Sequence, residues 1–163
     1  MRQVQKAEGY RALAKTEFHM KLNLEKTLEQ LEKEYWSEPN YDSYLVRTCH
    51  TLRKKPIKDF EIEDLRILIG QNISLAILIP IALDRLEENI FAEGDFYEGD
   101  LLHSVLTSET QYWLENKGNW QLLCKTIETN MEQMKQFETT WEIKKKWFST
   151  YELFRKIHET NAL

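Results

Sequence analysis

Only five glycines and three prolines punctuate the 163 residues, and neither occurs between Asn119 and Leu163. Turns draw heavily on these two residues, glycine for its left-handed backbone and proline for its preset φ. An all-β chain of this length needs more of them, because every strand must be followed by a turn. The scarcity favours helix before any periodicity is considered.

The apolar positions agree. Leu24, Leu28, Leu31 and Tyr35 recur at helical spacing and predict a helix over about Glu25–Trp36, with Pro39 just past its end. A second helix should begin near Asp42 or Ser43, carry Leu45, Cys49 and Leu52 inward, and stop around Lys54 ahead of Pro56. A third covers about Ile62–Ile69, with Ile62, Leu65, Leu68 and Ile69 inward and Gly70 placed to end it. The stretch Ser74–Asn89 is apolar on nearly every side until Asp84, the pattern of a central helix, with Pro80 expected to kink it or displace its start. Asp100 is the expected cap of a short helix bearing Leu101, Leu102, Val105 and Leu106. Ser108 with Gln111 resembles a capping box for the next, and Gly118 is its expected end. Asn119 is the expected cap of a stripe through Trp120, Leu123, Cys124, Ile127, Met131 and Met134. One unbroken helix from there would be roughly 60 Å long, too long for a small domain, so a break is expected near Thr139–Thr140. Trp147, Tyr151, Phe154 and His158 then belong to a last helix. The reading is an all-α, single-domain helical bundle of about six to eight helices over residues 23–163. Residues 1–22, with a local net charge of +3, form an N-terminal extension, and Met20 is a second candidate start.

Charge and composition exclude several functions. The net charge is −5, without the basic signature of a nucleic-acid binder. Arg2, Lys6, Glu8, Arg11, Lys15 and Glu17 interrupt any apolar run at the start, so no secretory signal is read there. The most apolar stretch, Ile67–Leu83, contains Gly70, Gln71, Asn72, Ser74 and Pro80. It falls short of the roughly 20 apolar residues of a membrane span. Cys49 and Cys124 have no partner at zinc-ligand spacing and read as buried free thiols of a reducing compartment.

No catalytic or cofactor motif emerges. His19, His50, His103 and His158 form no metal-binding pair, and no glycine-rich phosphate loop or nucleophile elbow is present. Cys49 with His50 would have to assemble a catalytic pair in space, since adjacent helical residues point apart. Lys144, Lys145 and Lys146 lie among Trp141, Trp147 and Phe148, a pattern that can suit nucleic acid but reads better as a solvated stripe on an amphipathic helix. The strongest charge feature is acidic. Residues 84–100 carry Asp84, Glu87, Glu88, Glu93, Asp95, Glu98 and Asp100 against Arg85 alone, a local net of −6. The spacing is not that of a calcium-binding EF-hand loop. Glu87, Glu88, Glu93, Asp95, Phe96, Tyr97 and Glu98 are instead the candidate contact residues for a basic protein partner, where complementary potential speeds association.

Several blocks resemble one family of contact-dependent growth inhibition (CDI) immunity proteins. They are LEQLEKEYW (28–36), YLVRTCHTLRKKP (44–56), EDLRILIGQNI (63–73), LIPIALDRLEEN (78–89) and AEGDFYEGDLLHSVL (92–106), with a weaker QYWLENKGNW (111–120). The resemblance covers about residues 25–128. It implies a cytoplasmic protein, not an enzyme, that uses no cofactor or metal. Such a protein binds the toxin domain delivered by a neighbouring bacterium, one to one, and blocks its active site or its access to substrate. Many such toxins are nucleases, which fits a basic partner. Neither nucleic acid nor membrane is an expected partner. Because relatives must tell toxins apart, shared blocks suit the scaffold better than partner choice. That directs attention to Glu128, Glu132, Glu138 and Glu142 beyond the blocks. The competing reading is a helical nucleic-acid-binding or regulatory protein that uses Lys144–Lys146.

Overall fold

A computed structural model describes residues 22–40 and 43–159. These hold eight α-helices, one 3-10 turn and an isolated antiparallel bridge between Thr27 and Pro56, so the fold is all-α. The chain divides into two compact units, the first ending at Phe60 and the second beginning at Glu61. The expected extension over residues 1–22 lies outside the described residues, Leu22 excepted.

In the first unit, α1 (Leu28–Glu32) is much shorter than its apolar spacing predicts. Thr27 and Gln30 form a reciprocal capping box that starts it, and Lys33, at φ 56°, ends it. The chain then serves Arg53 from α2 (Tyr44–Arg53). Arg53, 2% exposed, donates to the Glu32 carboxylate and to the Glu34 carbonyl, at 2.5 and 2.8 Å. Its guanidinium lies 4.3 Å over the Trp36 ring. A buried guanidinium demands such partners, and supplying them ends the helix. Tyr35 is left exposed rather than inward. In α2 the cap is Ser43; Cys49 and Leu52 are buried, but Leu45 is 39% exposed. The 3-10 turn Ile57–Asp59 donates back to the carbonyls of Lys26 and Leu24, which closes the unit.

The described residues of the second unit contain six helices. A capping box of Glu61 and Asp64 starts α3 (Ile62–Gly70). Gly70 is its last residue, but the reversal falls at Asn72, φ 56°, whose side chain accepts from the Glu109 N–H at 2.8 Å. Leu65, Leu68 and Ile69 are buried and Ile62 is half-buried. Next, α4 (Leu75–Glu88) buries Leu75, Leu78, Ile79, Ala82, Leu83 and Leu86, the stripe expected from spacing. Each such leucine or isoleucine contributes about 1.5–3 kcal/mol of transfer free energy. The helix runs through Pro80 from Leu75, so its start is not displaced. Position 80 offers no N–H to the carbonyl of Ala76, and Ala76 is exposed, where water can serve that oxygen.

The most enclosed helix is not α4 but the short α5 (Asp100–Leu106), six of whose seven residues are buried. It packs against α3, α4 and the last helix, Trp141–Phe154. Three expected caps are relocated. Gly99, at φ 75°, occupies the cap position of α5, and Asp100 is its first residue. In α6 (Thr110–Glu115) the cap is Glu109. Ser108 instead donates to the Val105 carbonyl and accepts from the indole N–H of fully buried Trp113 at 2.9 Å. Gly118 and Asn119 lie inside α7 (Lys117–Gln136), and Asn119 donates to the Tyr112 hydroxyl at 2.7 Å. Tertiary hydrogen bonds thus claim side chains that local pattern assigns to helix ends. The break falls at Phe137–Thr140, as expected, and Thr140 caps α8 (Trp141–Phe154) by accepting from the Ile143 N–H. Trp147, Tyr151 and Phe154 are buried, and His158 follows the helix with a ring nitrogen 3.0 Å from the Trp113 carbonyl.

Candidate functional site

The acidic segment between α4 and α5 folds into a loop, residues 89–99, tied down along its length. Three elements contribute. From α5, the Asp100 carboxylate, almost fully buried, accepts the N–H groups of Gly94 and Phe96 at 2.7 and 3.1 Å. From α3, Arg66 donates twice to Glu63 at 2.6 Å, and Glu63 accepts the Asp95 N–H at 2.9 Å. Arg66 also lies 3.8 Å from Asp100. From α8, the Trp147 indole donates to the Glu98 carbonyl at 3.1 Å.

Packing completes the restraint. Phe91 stacks on Phe137 at 4.0 Å and tilts against Trp147 at 5.5 Å. A Cβ at Gly99 would lie 2.5 Å from the Trp147 ring nitrogen, and one at Gly94 would run into the Glu63 carboxylate. Gly99 is therefore demanded by close approach, while at Gly94 the obstacle is the end of the Glu63 side chain, which Arg66 holds in place. Hydrogen bonding to Arg66, foremost, holds the Glu63 carboxyl below its usual range despite partial burial, and the Asp95 N–H acts in the same direction.

The structure separates the seven candidate residues. Glu93, Asp95 and Phe96 are exposed on the loop, Phe96 by 68%. Arg66 covers one face of the Phe96 ring at 4.4 Å. Tyr97 and Glu98 are half-buried and hold the loop instead. The Tyr97 hydroxyl and His103 Nδ1 are 3.1 Å apart, the Lys146 ammonium sits 4.5 Å over the Tyr97 ring, and Thr139 donates to the Glu98 carboxylate at 3.3 Å. Burial, foremost, and then Lys146 push the His103 pKa down, with Asp100 opposing. Glu87 and Glu88 lie in the last turn of α4, where Glu88 is 3.7 Å from Arg85.

Glu63, Arg66, His103, Lys146 and Trp147 went unread as parts of this site. The spacing of Glu63 and Arg66 at i and i+3 signalled a pair, but nothing local connected that pair to a loop 30 residues on. Local charge counting also overstated the acidity, because Arg66 and Lys146 return two cations to the loop.

The other candidates disperse. Lys144 donates to the Lys135 carbonyl, Lys145 sits 4.9 Å over the Trp141 ring, and Lys146 serves Tyr97, so the three lysines do not act as one stripe. Cys49 and Cys124 are buried free thiols, as expected; burial, foremost, pushes Cys49 up and Cys124 up to about 11. A groove of about 500 Å³ in the first unit is walled by Trp36, Pro39, Val46 and His50, among others, but not by Cys49. The edge of Trp36 meets the His50 ring at 5.0 Å. Among the described residues no His, Cys, Asp and Glu group is arranged to hold a metal ion. No described helix is long and apolar enough to cross a membrane. His19 lies outside the described residues.

The loop thus presents one exposed aromatic ring, Phe96, on a backbone held by side chains from three helices. The family of CDI immunity proteins matches residues 30–123, more than half of the sequence, and the chain belongs to that family. Its general role is therefore to bind and neutralise a cognate toxin. No curated protein and no solved structure matches it.

Proposed function

We propose that this chain acts in the cytoplasm, binding its cognate toxin domain one to one and covering the toxin's active site or substrate path. The loop between α4 and α5 is the proposed contact, with Glu93, Asp95 and Phe96 touching the toxin. Glu87 and Glu88 extend the acidic side, while Tyr97 and Glu98 hold the loop's shape. The partner surface is basic, as that of a nuclease must be to bind phosphate. The carrying observation is Phe96, a large ring left 68% exposed beside the exposed carboxylates of Glu93 and Asp95, on a loop fixed by a buried aspartate. Preorganisation lowers the ordering cost of binding, and aromatic anchors dominate interface energetics.

The test is co-expression with the toxin encoded immediately upstream, together with kinetics on a catalytically dead form of that toxin. The unsubstituted chain should protect cells. The double variant E93K/D95K should slow association by about tenfold with its thermal midpoint unchanged, because both side chains are exposed. Glu98 is left alone, since its carboxylate also holds Thr139. Failure to protect overturns the function, and an unchanged association rate removes the loop from the interface.

A further inference from the structure

Trp141 is the first residue of α8 and is 68% exposed. It lies beyond residue 123, where the family match ends. The turn that carries it is tied to the acidic loop. Phe137 stacks on Phe91, Thr139 donates to Glu98, and further along α8 Trp147 donates to the Glu98 carbonyl while Lys146 covers Tyr97. The capped start of α8 holds Trp141 at a fixed helix end.

The same local design occurs twice. Phe96 is an exposed ring with a cation, Arg66, on one face and exposed carboxylates Glu93 and Asp95 beside it in the chain. Trp141 is an exposed ring with a cation, Lys145, on one face, and Glu138 and Glu142, both exposed, near it in the chain. Of the other two lysines that follow, Lys144 is engaged by the Lys135 carbonyl and Lys146 by the Tyr97 ring.

We infer that Trp141 is a second anchor on the same toxin, and the one that selects it. The inference rests on the binding role proposed for the acidic loop. The loop and the α7–α8 turn then form one edge. Its loop half lies within the region matched to the family and its Trp141 half lies outside it. The fitting partner is a toxin face with an apolar socket rimmed by lysine or arginine, complementary to Glu138 and Glu142. Tryptophan is the residue most enriched among energetic hot spots at interfaces, and affinity differences of this kind reside mainly in dissociation.

The experiment measures binding of the catalytically dead upstream toxin domain to the full chain and to W141A, W141F and E93K/D95K. W141A should weaken binding about tenfold or more, mainly through faster dissociation, with an unchanged thermal midpoint. W141F should recover part of the loss. Wild-type affinity in W141A, with E93K/D95K weakened, overturns the second anchor and leaves the loop interface standing. Weakening in W141A alone keeps the anchor and overturns the single edge. If the unsubstituted chain does not bind, both readings fall together.

Discussion

Gly99 does three jobs that no other residue can do together. Its φ of 75° suits glycine, its N–H closes the loop on the Phe91 carbonyl at 3.1 Å, and its missing Cβ makes room for Trp147. A left-handed backbone costs a residue with a Cβ about 1–2 kcal/mol, and displacing the indole from the Glu98 carbonyl adds about 1 kcal/mol. Gly99→Ala should therefore destabilise by about 2–3 kcal/mol in urea denaturation. Gly118→Ala is the control: it lies in α7 with open space around it, and should be neutral or stabilising by up to about 1 kcal/mol. Asp100 shows how finely such roles divide. It was legible as a helix-start residue, and it does sit at a helix start. One position further in, its carboxylate turns from its own helix to the loop. Residue type announces a short acceptor near a helix terminus; only the path of the preceding loop decides which N–H groups it meets.

The loop, α3, α5 and α8 hold one another through charge as well as packing, and this makes their union acid-sensitive. His103 on α5 has a folded-state pKa below its ordinary value of 6.5, chiefly through burial. As pH falls below about 6.5 the unfolded chain gains a proton that the folded chain refuses, so stability declines. Glu63 on α3 has a folded-state pKa below its ordinary 4.5. Its contribution is full above that value and is lost as pH falls through the depressed one. Denaturation midpoints should thus fall in two stages on acidification. His103→Asn should remove the upper stage and Glu63→Gln the lower one; a midpoint flat from pH 7 to pH 5 in the unsubstituted chain contradicts the first assignment. The break between α7 and α8 was legible because a helix too long for the domain must end somewhere and Thr140 is a competent cap. The brevity of α1 was not, since Arg53, 20 residues on, takes the Glu32 carboxylate and the Glu34 carbonyl.

With a net charge of −5, the whole chain carries a field that would reach the basic partner proposed above before contact. Exposed charges act over roughly a Debye length, about 10 Å at 0.1 M salt. Raising ionic strength should therefore slow association with the toxin while leaving dissociation nearly constant, because desolvated aromatic anchors are screened little. Stopped-flow measurements across a salt series check this, and a dissociation rate that carries all the salt dependence counts against steering by the loop. The helical class, the stripes of α4, α7 and α8, the two buried thiols and the family are legible in the chain alone. Each of these follows from periodicity, composition or contiguous blocks, which are properties of neighbouring residues. Which acidic residues face outward depends instead on contacts between segments far apart in the chain. Arg66 and Lys146 reach the loop from helices distant in sequence, Asp100 turns inward to its backbone, and Glu98 is drawn to Thr139. What remains on the surface is the carboxylates of Glu93 and Asp95 and the open face of the Phe96 ring.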